Sequence, residues 1–205
     1  MKHLYIKGKS EWTLILLHGM GGRETDLLEV ATMVDNQANI LAFRGSIIEN
    51  NQTRFFKRLA HNKYDDESLK IEGERLFDAL QKCSEEYNIN LSKSIFIGYS
   101  NGANMAAYML LNHPLNLAGG VLMHPAYHSE LIQPVSLLGQ SFLITAGARD
   151  MTALAGDAYK LKKHLELKGG SVTIKLNDGQ HAIVSEELME AHIWFMRVKK
   201  EREAF

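Results

Sequence analysis

The stretch Ser94-Ile95-Phe96-Ile97-Gly98-Tyr99-Ser100-Asn101-Gly102 decides how the rest of the chain is read. Ile95 to Ile97 is an apolar run long enough for a buried strand and too short for a helix. It stops at a Gly-x-Ser-x-Gly pattern, after which Ala103-Asn104-Met105-Ala106-Ala107-Tyr108-Met109-Leu110-Leu111 has helical composition up to Pro114. Strand, tight turn and helix with a serine at the apex is the context of a nucleophile elbow. There Gly98 and Gly102 would leave room where strand and helix pass close together. Ser100 would sit in a strained backbone conformation at a helix N-terminus, whose partial positive charge favours a developing anion. The bare pattern also arises by chance, so the rest of the chain has to supply its partners.

Composition narrows the field. With 205 residues and 45% hydrophobic content, residues 1–205 should form one domain with a sizeable core. The net charge of −1, from 23 basic and 24 acidic side chains, gives no reason to expect nucleic acid or an anionic membrane as partner. The run Met1-Lys2-His3-Leu4-Tyr5-Ile6-Lys7-Gly8 is too short for a signal peptide, and nothing approaches a membrane-spanning length. A single cysteine, Cys83, excludes an intramolecular disulfide and fits a reducing cytoplasm. A homodimer is compatible with the sequence, which does not require one.

From end to end, strands alternate with helices. Strands are expected at Leu4–Lys7, Trp12–Leu17, Ile40–Phe43, Ser94–Ile97, Ala118–Met123, Phe142–Ala146 and Val172–Leu176. Several are near-continuous apolar runs, as in a parallel sheet covered on both faces. Between them, Leu69, Gly73, Leu76, Leu80, Cys83 and Tyr87 fall on one helical stripe, capped by Asp65 or Asp66. Leu154, Ala158, Leu161 and Leu165 form a second stripe, and Leu188, Ala191, Phe195 and Val198 a third. Lys199 to Glu203 reads as a solvated tail. The class is α/β with a mainly parallel sheet.

His18-Gly19-Met20-Gly21-Gly22 follows the second strand. A dinucleotide fingerprint would need glycine at position 24, where Glu24 stands, and an acid about 20 residues on. The alternatives are a structural glycine turn and an oxyanion loop, in which the Met20 and Asn101 backbone N–H groups hold the charge. Arg44 to Tyr64 lacks periodicity and reads as a long loop on the ligand face, with Phe55 and Phe56 walling an acyl pocket and Arg54 meeting a polar or anionic group. The competing reading makes both phenylalanines core plugs. His124-Pro125-Ala126-Tyr127-His128 is unsuited to a metal, because Pro125 interrupts a helix and no acidic ligand follows at zinc spacing. His18, Gly19 and His124 are expected to line the substrate pocket. No insertion long enough for a lid domain follows, so the site should be open.

The remaining chemistry lies near the ends of the last two strands. Phe142–Ala146 leads to Asp150 and Val172–Leu176 leads to His181, giving the chain order Ser…Asp…His. In a parallel sheet these turns reach the same edge as Ser100. His181 would take the Ser100 proton and Asp150 would orient the imidazole. Asp157 and Asp178 are weaker candidates, one within the next helix and the other in the histidine's own turn.

On these residues the chain resembles the phospholipase/carboxylesterase family of α/β-hydrolases, relatives of acyl-protein thioesterases. The likeness spans His18–Gly22 leading into Asp26-Leu27-Leu28, the Gly98–Gly102 elbow, the Asp150 turn, and Gln180-His181 followed by Ser185-Glu186-Glu187-Leu188. Arg44-Gly45, Glu49-Asn50 and Arg54-Phe55-Phe56 are similar to a bacterial branch of small esterases, some associated with quinone stress. The resemblance implies a single-domain α/β-hydrolase fold without a lid. It implies hydrolysis of a small-molecule ester with neither cofactor nor metal. Gln180 and Asn101 depart from the family pattern, which usually has glycine and, in thioesterases, glutamine there. A thioesterase or lysophospholipase of the same fold, and a non-catalytic small-molecule-binding relative, are the competing functions.

Overall fold

A computed structural model describes residues 1–60 and 63–204. Its elements in chain order are β1 (His3–Ile6), β2 (Thr13–Leu17), α1 (Leu28–Val34), β3 (Asn39–Phe43), β4 (Ile47–Glu49), β5 (Gln52–Arg54), β6 (Arg58–Ala60), β7 (Lys63–Tyr64), α2 (Asp66–Glu86), β8 (Ser94–Tyr99), α3 (Asn101–Asn112), β9 (Gly119–Met123), β10 (Ser141–Gly147), α4 (Ala155–Leu167), β11 (Ser171–Asn177) and α5 (Ser185–Glu203). Seven strands form one sheet in the order β1-β3-β2-β8-β9-β10-β11, parallel except for β1. These are the seven strands expected from the sequence. The Asp65 carboxylate caps α2 by accepting from the Ser68 N–H at 3.0 Å.

The apolar strand runs split by alternation between two cores. Ile15, Leu17, Leu41 and Phe43 face one side, where Leu69, Leu76 and Leu80 of α2, most of α3, and Leu161 and Leu165 of α4 cover them. Leu14, Leu16, Ile40, Ile95 and Ile97 face the other, under Val30 and Val34 of α1 and Ala191, Trp194, Phe195 and Val198 of α5. Each fully buried leucine or phenylalanine contributes about 1.5–3 kcal/mol on leaving water, so both faces must be covered.

Three features differ from the sequence reading. Helix α1 was not anticipated, although Leu27, Val30, Ala31 and Val34 repeat at helical spacing. At seven residues it is too short to hold without the sheet beneath it. Arg44 to Tyr64 is not one irregular loop: it contains the hairpins β4–β5 and β6–β7, with positions 61 and 62 outside the described residues. Lys199 to Glu203 continues α5 instead of forming a tail.

Because β2, β8, β9, β10 and β11 run parallel, their carboxyl ends share one edge. Leu17 pairs with Gly98, Tyr99 with Met123, and Gly147 with Asn177. The turns that follow these strands meet there.

Candidate active site

Ser100 occupies the apex between β8 and α3 with φ 51° and ψ −113°. A non-glycine residue at positive φ is strained, and the surroundings must hold it there. Here the Ser100 N–H donates to Met123 O at 2.9 Å and its carbonyl accepts from the Asn104 N–H at 3.0 Å. Both elbow glycines are required by space. A Cβ on Gly98 would lie 2.7 Å from Ala103 Cα, and one on Gly102 would lie 2.0 Å from Leu17 O.

Ser100 Oγ stands 2.8 Å from His181 Nε2, and His181 Nδ1 stands 2.7 Å from Asp150 Oδ2. The other Asp150 oxygen accepts from the Thr152 and Ala153 N–H groups at 2.8 and 2.9 Å. The turns that carry these residues are stitched together. Ala148 N–H donates to Asn177 O, Arg149 N–H to Gly179 O, and the Tyr99 hydroxyl to His181 O at 2.7 Å. The weaker acids lie elsewhere: Asp157 pairs with Lys160 at 3.4 Å and Asp178 is exposed.

His124 does not line the pocket, contrary to expectation. It is fully buried at φ 49°, with Nδ1 2.9 Å from Asp150 Oδ2 and Nε2 3.1 Å from Glu187 Oε1. Burial alone would lower its pKa, but the Glu187 and then the Asp150 carboxylates outweigh it and hold the ring above its ordinary value. Burial likewise pushes Asp150 up, and is overcome by the Ala153 N–H, by His181 and by His124, so its carboxyl lies below the usual range. Glu187 is also held low: its burial is offset by His124 and the Val184 N–H. A buried histidine whose charged form is favoured by both neighbours therefore sits between two buried carboxylates behind His181. Sequence reasoning gave Glu187 no role. Its one local signal is its place three residues after Val184, whose N–H it accepts at 2.9 Å in the manner of a capping glutamate.

Met20 and Asn101 flank Ser100, and among the described residues their backbone N–H groups have no protein acceptor. His18 is buried, so it does not contact substrate as expected. Its Nε2 accepts from the Gly45 N–H at 3.1 Å, which leaves the proton on Nδ1 to be donated to Gly19 O at 2.6 Å. Burial lowers its pKa and keeps it neutral in that role. Gly19 has little exposed area but does line the open groove beside Met20 and Tyr99, and a Cβ on it would stand 2.7 Å from the Tyr99 ring. Phe55 and Phe56 are fully buried core side chains, which corrects the reading of them as acyl-pocket walls. The Phe55 N–H donates to Asn101 Oδ1 at 2.8 Å, so Asn101 ties the loop to the elbow. Arg54 does face the site. Together with Arg58 it lines a cleft of about 200 Å³ that holds Met20, Tyr99, Ser100 and His181.

The donor atoms of His124, Asp150 and His181 lie within 4.8 Å of one another, compact enough to hold a metal. Hydrogen bonding accounts for the grouping by itself, because Asp150 already accepts from two imidazoles and two backbone N–H groups.

No protein-family model matches the chain. The protein named "Putative hydrolase MhqD" of Bacillus subtilis (strain 168) is 36% identical over 195 residues, covering 95% of this chain and 98% of that one. The crystal structure of the Bacillus cereus carboxylesterase superimposes with a TM-score of 0.93 at 37% identity, over 97% of this chain and 94% of that one. The structure of YahD with malic acid gives 0.90 at 30% identity, over 96% and 98%.

Proposed function

The chain belongs to the phospholipase/carboxylesterase family of α/β-hydrolases and is an ester hydrolase, and from that premise we propose that it cleaves carboxylic esters of small or medium acyl chains through an acyl-enzyme on Ser100. The observation that carries this reading is the unbroken hydrogen-bonded line from Ser100 Oγ through His181 to Asp150, starting at a residue held in a strained conformation.

In this mechanism His181 Nε2 accepts the Ser100 proton as Oγ attacks the ester carbonyl carbon. The carbonyl oxygen becomes an oxyanion between the Met20 and Asn101 N–H groups, each worth about 3 kcal/mol in the transition state. Asp150 fixes the Nδ1–H tautomer and stabilises the imidazolium. As the C–O bond breaks, His181 returns the proton to the leaving alcohol, and the acyl group stays on Oγ. Water, deprotonated by His181, then attacks the acyl carbon, and Ser100 leaves with the proton. No cofactor or metal is needed. A cleft of about 200 Å³ is below the usual range for drug-sized ligands, which favours short acyl groups. No helix of the described residues is long and apolar enough to cross a membrane. A single, buried and unpaired cysteine fits action in the cytoplasm.

The test compares kcat/KM for esters and thioesters of equal acyl length, in the wild type and in Ser100→Ala. The reading predicts ester preference, optimal turnover at short chains and loss of turnover in the variant. Equal turnover by Ser100→Ala would remove the mechanism; a thioester preference would reassign the substrate.

A further inference from the structure

We propose that the substrate carries a carboxylate, or an equivalent anionic oxygen group, which Arg54 and Arg58 bind beside the reacting carbonyl. This deepens the ester-hydrolase reading above and rests on it.

Two arginines and no acidic residue line the cleft that holds Ser100 and His181. The Nε–H of each is buried without a protein acceptor among the described residues. Neither Nε is open to the cleft, but the guanidinium that carries each one lines it, and a carboxylate is the acceptor that suits that planar fork best. Arg54 meets Glu49 only through Nη1, at 3.4 Å. Arg58 lies with its guanidinium carbon 5.8 Å from the Tyr64 ring centre and makes no ion pair among the described residues.

Arg54 is also held in place by the catalytic frame. On one side of it the Gly21 N–H, from the oxyanion loop, donates to Thr53 O at 2.8 Å; on the other the Phe55 N–H donates to Asn101 Oδ1 at 2.8 Å. The backbone that carries the arginine is thus fixed to both oxyanion segments, so the distance from cation to oxyanion site is built in. The core burial of Phe55 and Phe56 anchors the chain between Arg54 and Arg58. A surface arginine serving only solubility would need neither the bracket nor a buried Nε. Across Met20 and Tyr99, a more open groove lined by Leu27, Val30 and Ile183 remains for the uncharged part of the ester.

The experiment measures kcat/KM for two isosteric pairs. One places the carboxylate on the acyl side, a monoaryl glutarate against the aryl valerate; the other places it on the alcohol side, the butyrate ester of glycolate against propyl butyrate. Wild type, Arg54→Gln, Arg58→Gln and Arg58→Lys are compared by the ratio of charged to neutral ester. The ratio should exceed unity by about 10- to 100-fold in one pair, the effect of a charge-assisted hydrogen bond. It should fall by a similar factor in either glutamine variant, largely through KM, recover in part with Arg58→Lys, and shrink as salt is raised. The pair that shows the preference identifies the side that carries the charge. Ratios near or below one in both pairs, or a preference indifferent to both arginines, overturns the proposal while hydrolysis of the neutral esters keeps the ester-hydrolase reading. No turnover of any ester overturns both.

Discussion

Gly102 gives the sharpest link between packing and chemistry. A Cβ at this position would stand 2.0 Å from Leu17 O, 2.4 Å from Leu17 C and 2.5 Å from His18 O. Relieving the shortest approach to the 3.4 Å at which ordinary contact begins takes about 1.4 Å of movement, and both parties are backbone. Leu17 is paired with Gly98 in the middle of the sheet, so the strand cannot yield easily. The displacement falls on the first turn of α3, which carries Asn101, and on the segment from His18 to Met20. Those segments carry the two proposed oxyanion donors. Overpacking of this kind costs about 1–3 kcal/mol, and misplacing a reacting group by about 1 Å costs on the order of 100-fold in rate. Gly102→Ala should therefore remain folded with a lowered Tm and lose about 100-fold or more in kcat on an activated short-chain ester. Gly156→Ala, inside α4 with no atom within 4 Å of the added methyl, is the control. It should gain about 0.5–1 kcal/mol of stability from helix propensity with kcat unchanged. A Gly102→Ala enzyme within about twofold of wild-type kcat would refute the reasoning that close packing at the elbow sets the oxyanion geometry.

Thermal stability should peak in mildly acidic to neutral solution. Asp150 and Glu187 have depressed pKa values in the fold, so their contribution is present above the ordinary carboxylate range and drains away as pH falls through the folded values. His18 and His113, held neutral by burial, steepen the same acid limb. His124 has the opposite sign. Its contribution is full below its ordinary pKa of 6.5 and is lost as pH rises through the raised folded value. Tm measured between pH 5 and 9 should decline on the alkaline side, and a Tm still climbing there would contradict the upward shift of His124. His124→Ala leaves Asp150 and Glu187 as buried carboxylates without the imidazole that bridges them, and should cost about 3–5 kcal/mol by denaturant titration. Asn101→Ala strands the buried Phe55 N–H, at about 1–3 kcal/mol. It should also loosen Arg54, which a raised KM for carboxylated esters would report; unchanged stability would mean that the bond to Phe55 carries no weight.

The parts that were legible in the sequence are those in which local pattern and topology coincide. The strands that end at Tyr99, Gly147 and Asn177 are apolar runs followed by turn residues, and a parallel sheet brings their ends together whatever the details. That is why Ser100, Asp150 and His181 could be placed at one edge before any coordinates. His124 also follows a strand, and the same logic put it in the cleft. What reversed its direction was Glu187, a residue 63 positions away in α5, and no local pattern announces such a partner. Phe55 and Phe56 were ambiguous for a related reason. A pair of aromatics in an aperiodic segment can line a pocket or anchor a loop, and the choice depends on the Asn101 side chain and the Tyr64 ring, which become neighbours only through tertiary structure. Arg58 went unnoticed because its significance lies in lining the catalytic cleft with no ion-pair partner among the described residues, a property of packing and not of residue type.

The central claim is that Ser100 is an activated nucleophile, and covalent labelling tests it most directly. The protein is treated with a fluorophosphonate probe beside Ser100→Ala and a heat-denatured sample, and the adduct is located by peptide mass. The account predicts rapid modification of the native protein, confined to Ser100 and absent from both controls. A folded native protein that takes up no probe, or takes it up equally in Ser100→Ala, would contradict it and favour a binding protein built on a hydrolase frame.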